Sequence, residues 1–172
     1  NGNVDVIFYI VNCFKGLLVL PAGLLNLEVV MNLPKPEKVI PHRHPFLFLT
    51  EVTKLEVPKF AEAYWEVKES EDFFSGHFPA FPTLPGVLMC ESIAQLGAYT
   101  LLSDSNFEGL LPLFGGIDKV RFRRRVSPGE RLDLSVELSR ISTRGGKGNG
   151  KAHVNGELAC SCDLMFVFAQ LD

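Results

Sequence analysis

The sequence is short of several things, and each shortage closes off a class of function. Only four of the 172 residues are cysteine. Cys13, Cys90, Cys160 and Cys162 form no CxxC pair, so structural zinc lacks its usual ligand spacing. Cys160 and Cys162 stand two apart in a strand-like run, where both side chains point to one face, and Cys90 sits in an apolar helical pattern. No disulfide framework is implied, and a reducing, cytoplasmic setting fits best. Charge of one sign is also scarce. Seventeen basic residues against 20 acidic ones leave a net charge of −3, which offers no global attraction to nucleic acid. There is no internal repeat and no low-complexity block. With 47% hydrophobic residues the chain is not a disordered one, and its length suits one domain with a real core.

An unbroken apolar run long enough to span a bilayer is missing too. Residues 4–30, VDVIFYIVNCFKGLLVLPAGLLNLEVV, are strongly apolar, but Asn12, Lys15, Gly16, Pro21 and Gly23 interrupt them. A spanning helix needs about 20 nearly continuous apolar residues. A secretory leader needs a basic start and a small-residue cleavage site, whereas the first basic residue here is Lys15. The expectation is an apolar extension over 1–30, packed on the domain or on a partner subunit, followed by one domain over 31–172. Met31, just before the recognisable pattern, stands as a candidate natural start.

What is present reads as α+β. The apolar end of PHRHPFLFLTEV (41–52) and the alternating AEAYWEVKE (61–69) predict two strands. Residues 70–84, with Gly76, Pro79 and Pro82, predict an irregular loop. LPGVLMCESIAQLGAYTLLSD, from Leu84, is apolar or small on almost every side, the pattern of a buried helix, with Pro85 in its first turn. RLDLSVELSR (131–140) places Leu132, Leu134, Val136 and Leu138 on one face of a strand. Val120–Val126 and Lys151–Phe168 predict further strands, the latter folded at Asn155-Gly156, a strong type I′ hairpin signal. One buried helix and several long antiparallel strands imply a curved sheet wrapped around the helix. GGKGNG (145–150) lacks the context of a phosphate loop and predicts a flexible hairpin.

GHFPAFPTLPGVLMCESIAQLGA (76–98) sets His77 and Glu91 among apolar and small residues, where an unpaired charge is costly. The helix start near Pro85 and Gly86 offers unpaired N–H groups and a partial positive charge. Gly86 admits close approach of a substrate, so its amide could hold a carbonyl oxygen that gains negative charge. Imidazole is suited to act as a base near neutrality, and a carboxyl in apolar surroundings is suited to hold a proton. Together these are the parts for elimination beside a thioester carbonyl. On the residues alone, a structural histidine and a glutamate paired with a buried base account for them equally well.

The motifs break that tie. PHRHPFLFLT (from Pro41), GHFPAFPTLPGVLMCESIAQ (from Gly76) and GIDKVRFRRRVSPGE (from Gly116) closely resemble, in order and register over about residues 33–168, the (3R)-hydroxyacyl-[acyl-carrier-protein] dehydratases of the FabZ type. The resemblance implies the hot-dog fold and dehydration of a (3R)-3-hydroxyacyl thioester on acyl carrier protein to the trans-2-enoyl product. It implies His77 and Glu91 as the catalytic pair, contributed by opposite subunits of a homodimer that can assemble into a hexamer, a trimer of dimers. It also implies that Gly86 serves the thioester oxygen, that Pro85, Val87 and Phe78 lie in the substrate site, and that no metal or redox cofactor is used. Glu91, where a sister type carries aspartate, points to the FabZ type. The chain departs from the pattern at His44, which replaces tyrosine, and at Ala80, which replaces glycine. Phe81 replaces a basic or polar residue, and Arg125 replaces proline.

Two rival readings are a hot-dog acyl thioesterase and a non-catalytic acyl-carrier-binding subunit. Arg121, Arg123, Arg124 and Arg125 form a basic run that is either a solvated strand face or a docking patch for an acidic carrier protein. His42 and His44 make an HxH pair without a third ligand, a weak metal signal. His153 reads as an ordinary surface or edge histidine.

Overall fold

The computed structural model describes residues 33–170, so the expected apolar extension, Cys13 and Met31 lie outside the described residues. The described elements run α1 (Pro36–Val39), β1 (Glu51–Glu56), β2 (Phe60–Glu66), α2 (Gly86–Leu102), β3 (Leu110–Phe122), β4 (Arg131–Ser142), β5 (Gly145–Val154) and β6 (Glu157–Gln170). Single 3₁₀ turns cover Asp72–Ser75 and Ser105–Phe107. The six strands form one antiparallel sheet in the order β1-β2-β4-β5-β6-β3. α2 packs against all of them, the hot-dog arrangement.

Strand periodicity explains this placement. Ala61, Ala63 and Trp65 of β2, and Leu132, Leu134, Val136 and Leu138 of β4, are buried, while their neighbours face outward. Asn155 and Gly156 take φ of 50° and 80° between β5 and β6, as a type I′ turn requires. Burial of α2 begins at Met89, and Val87 remains 69% exposed. The first turn therefore lies outside the core, with Pro85 at the N-cap position and Gly86 opening the helix.

The structure corrects three local expectations. Residues 145–150 are not a flexible hairpin but the first half of β5, in which Gly146, Gly148 and Gly150 are buried and Lys147 and Asn149 exposed. Gly150 lets the helix approach: a Cβ there would collide with Cγ2 of Ile93 on α2. The apolar run Phe46–Leu49 forms no strand either; it lies before β1 and is tied to α2 by a side chain described below. At the other end of the sheet, β3 begins at Leu110, well before the predicted Val120, and its register with β6 shifts between Phe114 and Gly116 and between Asp118 and Arg121.

Candidate active site

His77 follows the Asp72–Ser75 turn, and its backbone N–H donates to the Phe73 carbonyl at 2.8 Å. The loop then closes on itself: Thr83 N–H donates to the His77 carbonyl at 3.3 Å, and His77 Nδ1 lies 2.7 Å from the Thr83 carbonyl oxygen. A carbonyl can only accept, so Nδ1 must carry the proton. In the neutral ring Nε2 is then left with its lone pair. That is the tautomer a base needs. The ring packs against Phe78 at a tilt of 34°, with centroids 4.1 Å apart, and Phe78 itself is largely exposed.

His77 shares a cleft of about 380 Å³ with Gly86, Met89, Phe122 and the Arg123–Arg125 segment. Gly86 opens α2, whose N-terminus has no side-chain cap; the Leu88 amide turns back to the Pro85 carbonyl at 2.9 Å. A Cβ on Gly86 would meet the Phe122 ring at 2.9 Å. Only glycine lets that aromatic wall close against the first turn. The cleft thus combines an imidazole with a free lone pair, an uncapped helix start, and an apolar side wall.

Glu91 does not line this cleft within one chain. Its side chain is 18% exposed, and Oε1 accepts from Gln95 Nε2 at 3.0 Å while lying 3.6 Å from His42 Nε2. Gln95, 1% exposed, accepts from the Phe48 amide at 2.8 Å and donates to the Phe46 carbonyl at 3.1 Å. It therefore fastens the Phe46–Leu49 segment to the helix and orients the carboxylate one turn earlier. His42 Nδ1 is buried without a hydrogen-bond partner. Sequence reasoning missed Gln95 and read His42 only as half of an HxH pair. The i, i+4 spacing from Glu91 to Gln95 was a usable signal, whereas nothing in the spacing of His42 places it beside the helix. His44 is exposed.

The basic run divides by partner. Arg124 is bidentate to Glu130, at 2.8 and 3.0 Å, and reaches Glu157 at 3.0 Å. Its guanidinium holds the Glu130 carboxyl below the usual carboxylate range. Arg125 lies over the Phe81 ring, 3.9 Å from its centroid. Arg121 and Arg123 are exposed and make no salt bridge among the described residues. His153 is half-buried on β5, opposite Asp133.

Comparison with known proteins places this geometry. A family model described as a FabA-like domain matches residues 40–163. The 3-hydroxyacyl-[acyl-carrier-protein] dehydratase FabZ of Clostridium botulinum (strain Okra / Type B1) is 42% identical over 144 residues, covering 84% of this chain and 100% of that protein. The protein of the same name from Staphylococcus aureus (strain JH9) is 44% identical over 140 residues, covering 81% of this chain and 96% of its own. Among solved structures, the dehydratase heterocomplex ApeI:P from Xenorhabdus doucetiae aligns with a TM-score of 0.68 at 17% identity. That alignment covers 81% of this chain and 93% of the other, a likeness of fold.

Proposed function

Because the chain belongs to the FabA-like domain family, and FabZ dehydratases match it over most of its length, we infer that it is a 3-hydroxyacyl-[acyl-carrier-protein] dehydratase. It is a hydro-lyase of fatty acid biosynthesis. Its substrate is a (3R)-3-hydroxyacyl thioester on acyl carrier protein, and its product is the trans-2-enoyl thioester and water.

The observation that carries the mechanism is the 2.7 Å bond from His77 Nδ1 to the Thr83 carbonyl, which leaves Nε2 as a base within the cleft. His77 Nε2 takes the proton from C2, and the C–H electrons move toward the thioester carbonyl. The Gly86 amide and the uncapped helix start stabilise the negative charge on that oxygen. As the double bond forms, the C3–O bond breaks and Glu91 protonates the departing hydroxyl, giving water. His77 ends protonated and Glu91 ionised, and proton exchange with solvent restores both. Pro85 and Val87 at the helix start, with Phe78 on the imidazole face, complete the substrate site.

Glu91 reaches this cleft from a second copy of the chain. Support comes from the edge strand β3, where Leu113, Phe114 and Ile117 are exposed next to Met165 and Val167 of β6. An apolar sheet edge of this kind calls for a cover. A homodimer, with a hexamer built from three of them, supplies it. Arg121 and Arg123, which carry no carboxylate partner among the described residues, offer the acidic carrier a docking point. Cys90, Cys160 and Cys162 are buried free thiols, in keeping with a cytoplasmic setting. No helix of the described residues is long and apolar enough to cross a membrane.

The test is an ultraviolet assay of enoyl formation from 3-hydroxyacyl carriers of several lengths. The wild-type protein forms the enoyl product, and His77→Ala does not. Free thiol release from an acyl carrier without a 3-hydroxyl, in place of enoyl product, would contradict the assignment.

A further inference from the structure

The loop that carries His77 makes one contact that neither the core nor the proposed reaction requires. The Arg125 guanidinium lies over the Phe81 ring at 3.9 Å, although Phe81 is 59% exposed. No described salt bridge includes Arg125, while its neighbour Arg124 holds both Glu130 and Glu157. The attraction is that of a cation for an aromatic face.

Bonds inside the loop connect this contact to the imidazole. The Phe81 amide donates to the Phe78 carbonyl at 2.8 Å, and the Phe81 carbonyl accepts from Thr83 Oγ1 at 2.9 Å. The same Thr83, through its own carbonyl, fixes His77 Nδ1 at 2.7 Å. Phe81 is therefore one residue-to-residue link away from the group that sets the tautomer of His77. On the opposite side the support is firm. The Arg125 carbonyl accepts from Arg124 Nη1 at 2.9 Å, and Arg124 is clamped by its two glutamates. One residue further on, the Val126 carbonyl takes the Leu84 amide at 2.9 Å, tying down the base of the loop. A loop held at its base alone can hinge; a second attachment at its tip fixes its tilt.

We propose that Phe81 and Arg125 form a latch that positions His77, holding the 77–83 loop against the segment after β3 so that Nε2 stays aimed into the cleft. The proposal rests on the reading of His77 as the base. Both are positioning residues, since neither needs to touch the reacting atoms.

The experiment compares wild type with Phe81→Ala, Arg125→Gln, the double variant, Phe81→Trp and His77→Ala. Each is assayed for kcat and KM on a 3-hydroxyacyl carrier, and the imidazole ¹⁵N resonances of His77 are recorded. Phe81→Ala and Arg125→Gln each lower kcat by about two- to five-fold, the range an exposed cation–π contact can shift an equilibrium. The double variant is no slower than the slower single one, because both remove the same contact. Phe81→Trp, which keeps an aromatic face, retains wild-type kcat. In the two slowed variants the His77 resonances move from those of a fixed Nδ1–H tautomer toward the average of both. Wild-type kcat and unmoved resonances in both single variants would overturn the latch, as would losses that multiply in the double variant. A rise in KM confined to Arg125→Gln would assign that residue to carrier docking and overturn it as well. Retained activity in His77→Ala would instead remove the base assignment itself, a failure distinct from that of the latch.

Discussion

The two halves of the candidate site are held by opposite kinds of support. Glu91 sits on a seventeen-residue helix, and its carboxylate is oriented by Gln95, a buried amide that also binds the backbone at Phe46 and Phe48. His77 sits on a loop and is oriented by a single backbone carbonyl, at Thr83, with Phe78 and Phe81 exposed beside it. The carboxylate therefore inherits the rigidity of the core, while the imidazole depends on short-range loop bonds near solvent. A base that must meet a carrier-borne substrate gains access from this arrangement. The comparison also teaches where substitutions act: around Glu91 they threaten folding, and around His77 they threaten only turnover.

The largest expected effects fall on the two groups proposed to react. His77→Ala and Glu91→Gln should each lower kcat by about 10²- to 10⁴-fold, the span of general acid–base contributions, with melting temperatures close to wild type. Gln95→Leu should divide the two halves more sharply. It strands the buried Phe48 amide and frees the partly buried Phe46 carbonyl, a loss of about 2–3 kcal/mol that thermal or urea unfolding would register. Equal stability of Gln95→Leu and wild type would show that the helix half is not braced as described. Gly150→Ala should cost about 1–3 kcal/mol by overpacking, since its Cβ would collide with Ile93 and with the Ser135 carbonyl.

The smallest expected effect concerns the ion pair that backs the cleft wall. Arg124 lowers the folded-state pKa of Glu130, so the pair adds stability above the unfolded carboxylate pKa and loses it as pH falls through the lowered folded value. Glu130→Gln should therefore cost about 1 kcal/mol at neutral pH. The gap from wild type should shrink toward zero as the solution is acidified below the carboxylate range. A gap that widened in acid would contradict the sign of this linkage.

Much of this could be read before any coordinates, for identifiable reasons. The alternation in Arg131–Arg140 and the Asn155-Gly156 turn are local signals, and both strand and turn lie where those signals put them. His77 and Glu91 were conspicuous because polar groups among apolar neighbours need a reason. What could not be read depended on contacts distant in sequence. GGKGNG looks like a loop until Ile93 is known to press on Gly150. Phe46–Leu49 looks like a strand because apolar composition alone cannot distinguish a strand from a segment pinned by Gln95, 47 residues away at Phe48. The early start of β3 was hidden by Pro112, Gly115 and Gly116, which read as loop residues but sit at an edge where pairing is irregular.

The central claim is that one reaction centre is built from His77 of one chain and Glu91 of another, and mixing inactive variants tests it directly. Co-expressed His77→Ala and Glu91→Gln chains would form mixed dimers in which one of two centres has both native groups. Random pairing should restore about a quarter of wild-type activity. If mixed dimers form and activity stays at the level of the separate variants, the two groups do not meet across the interface and the account is wrong.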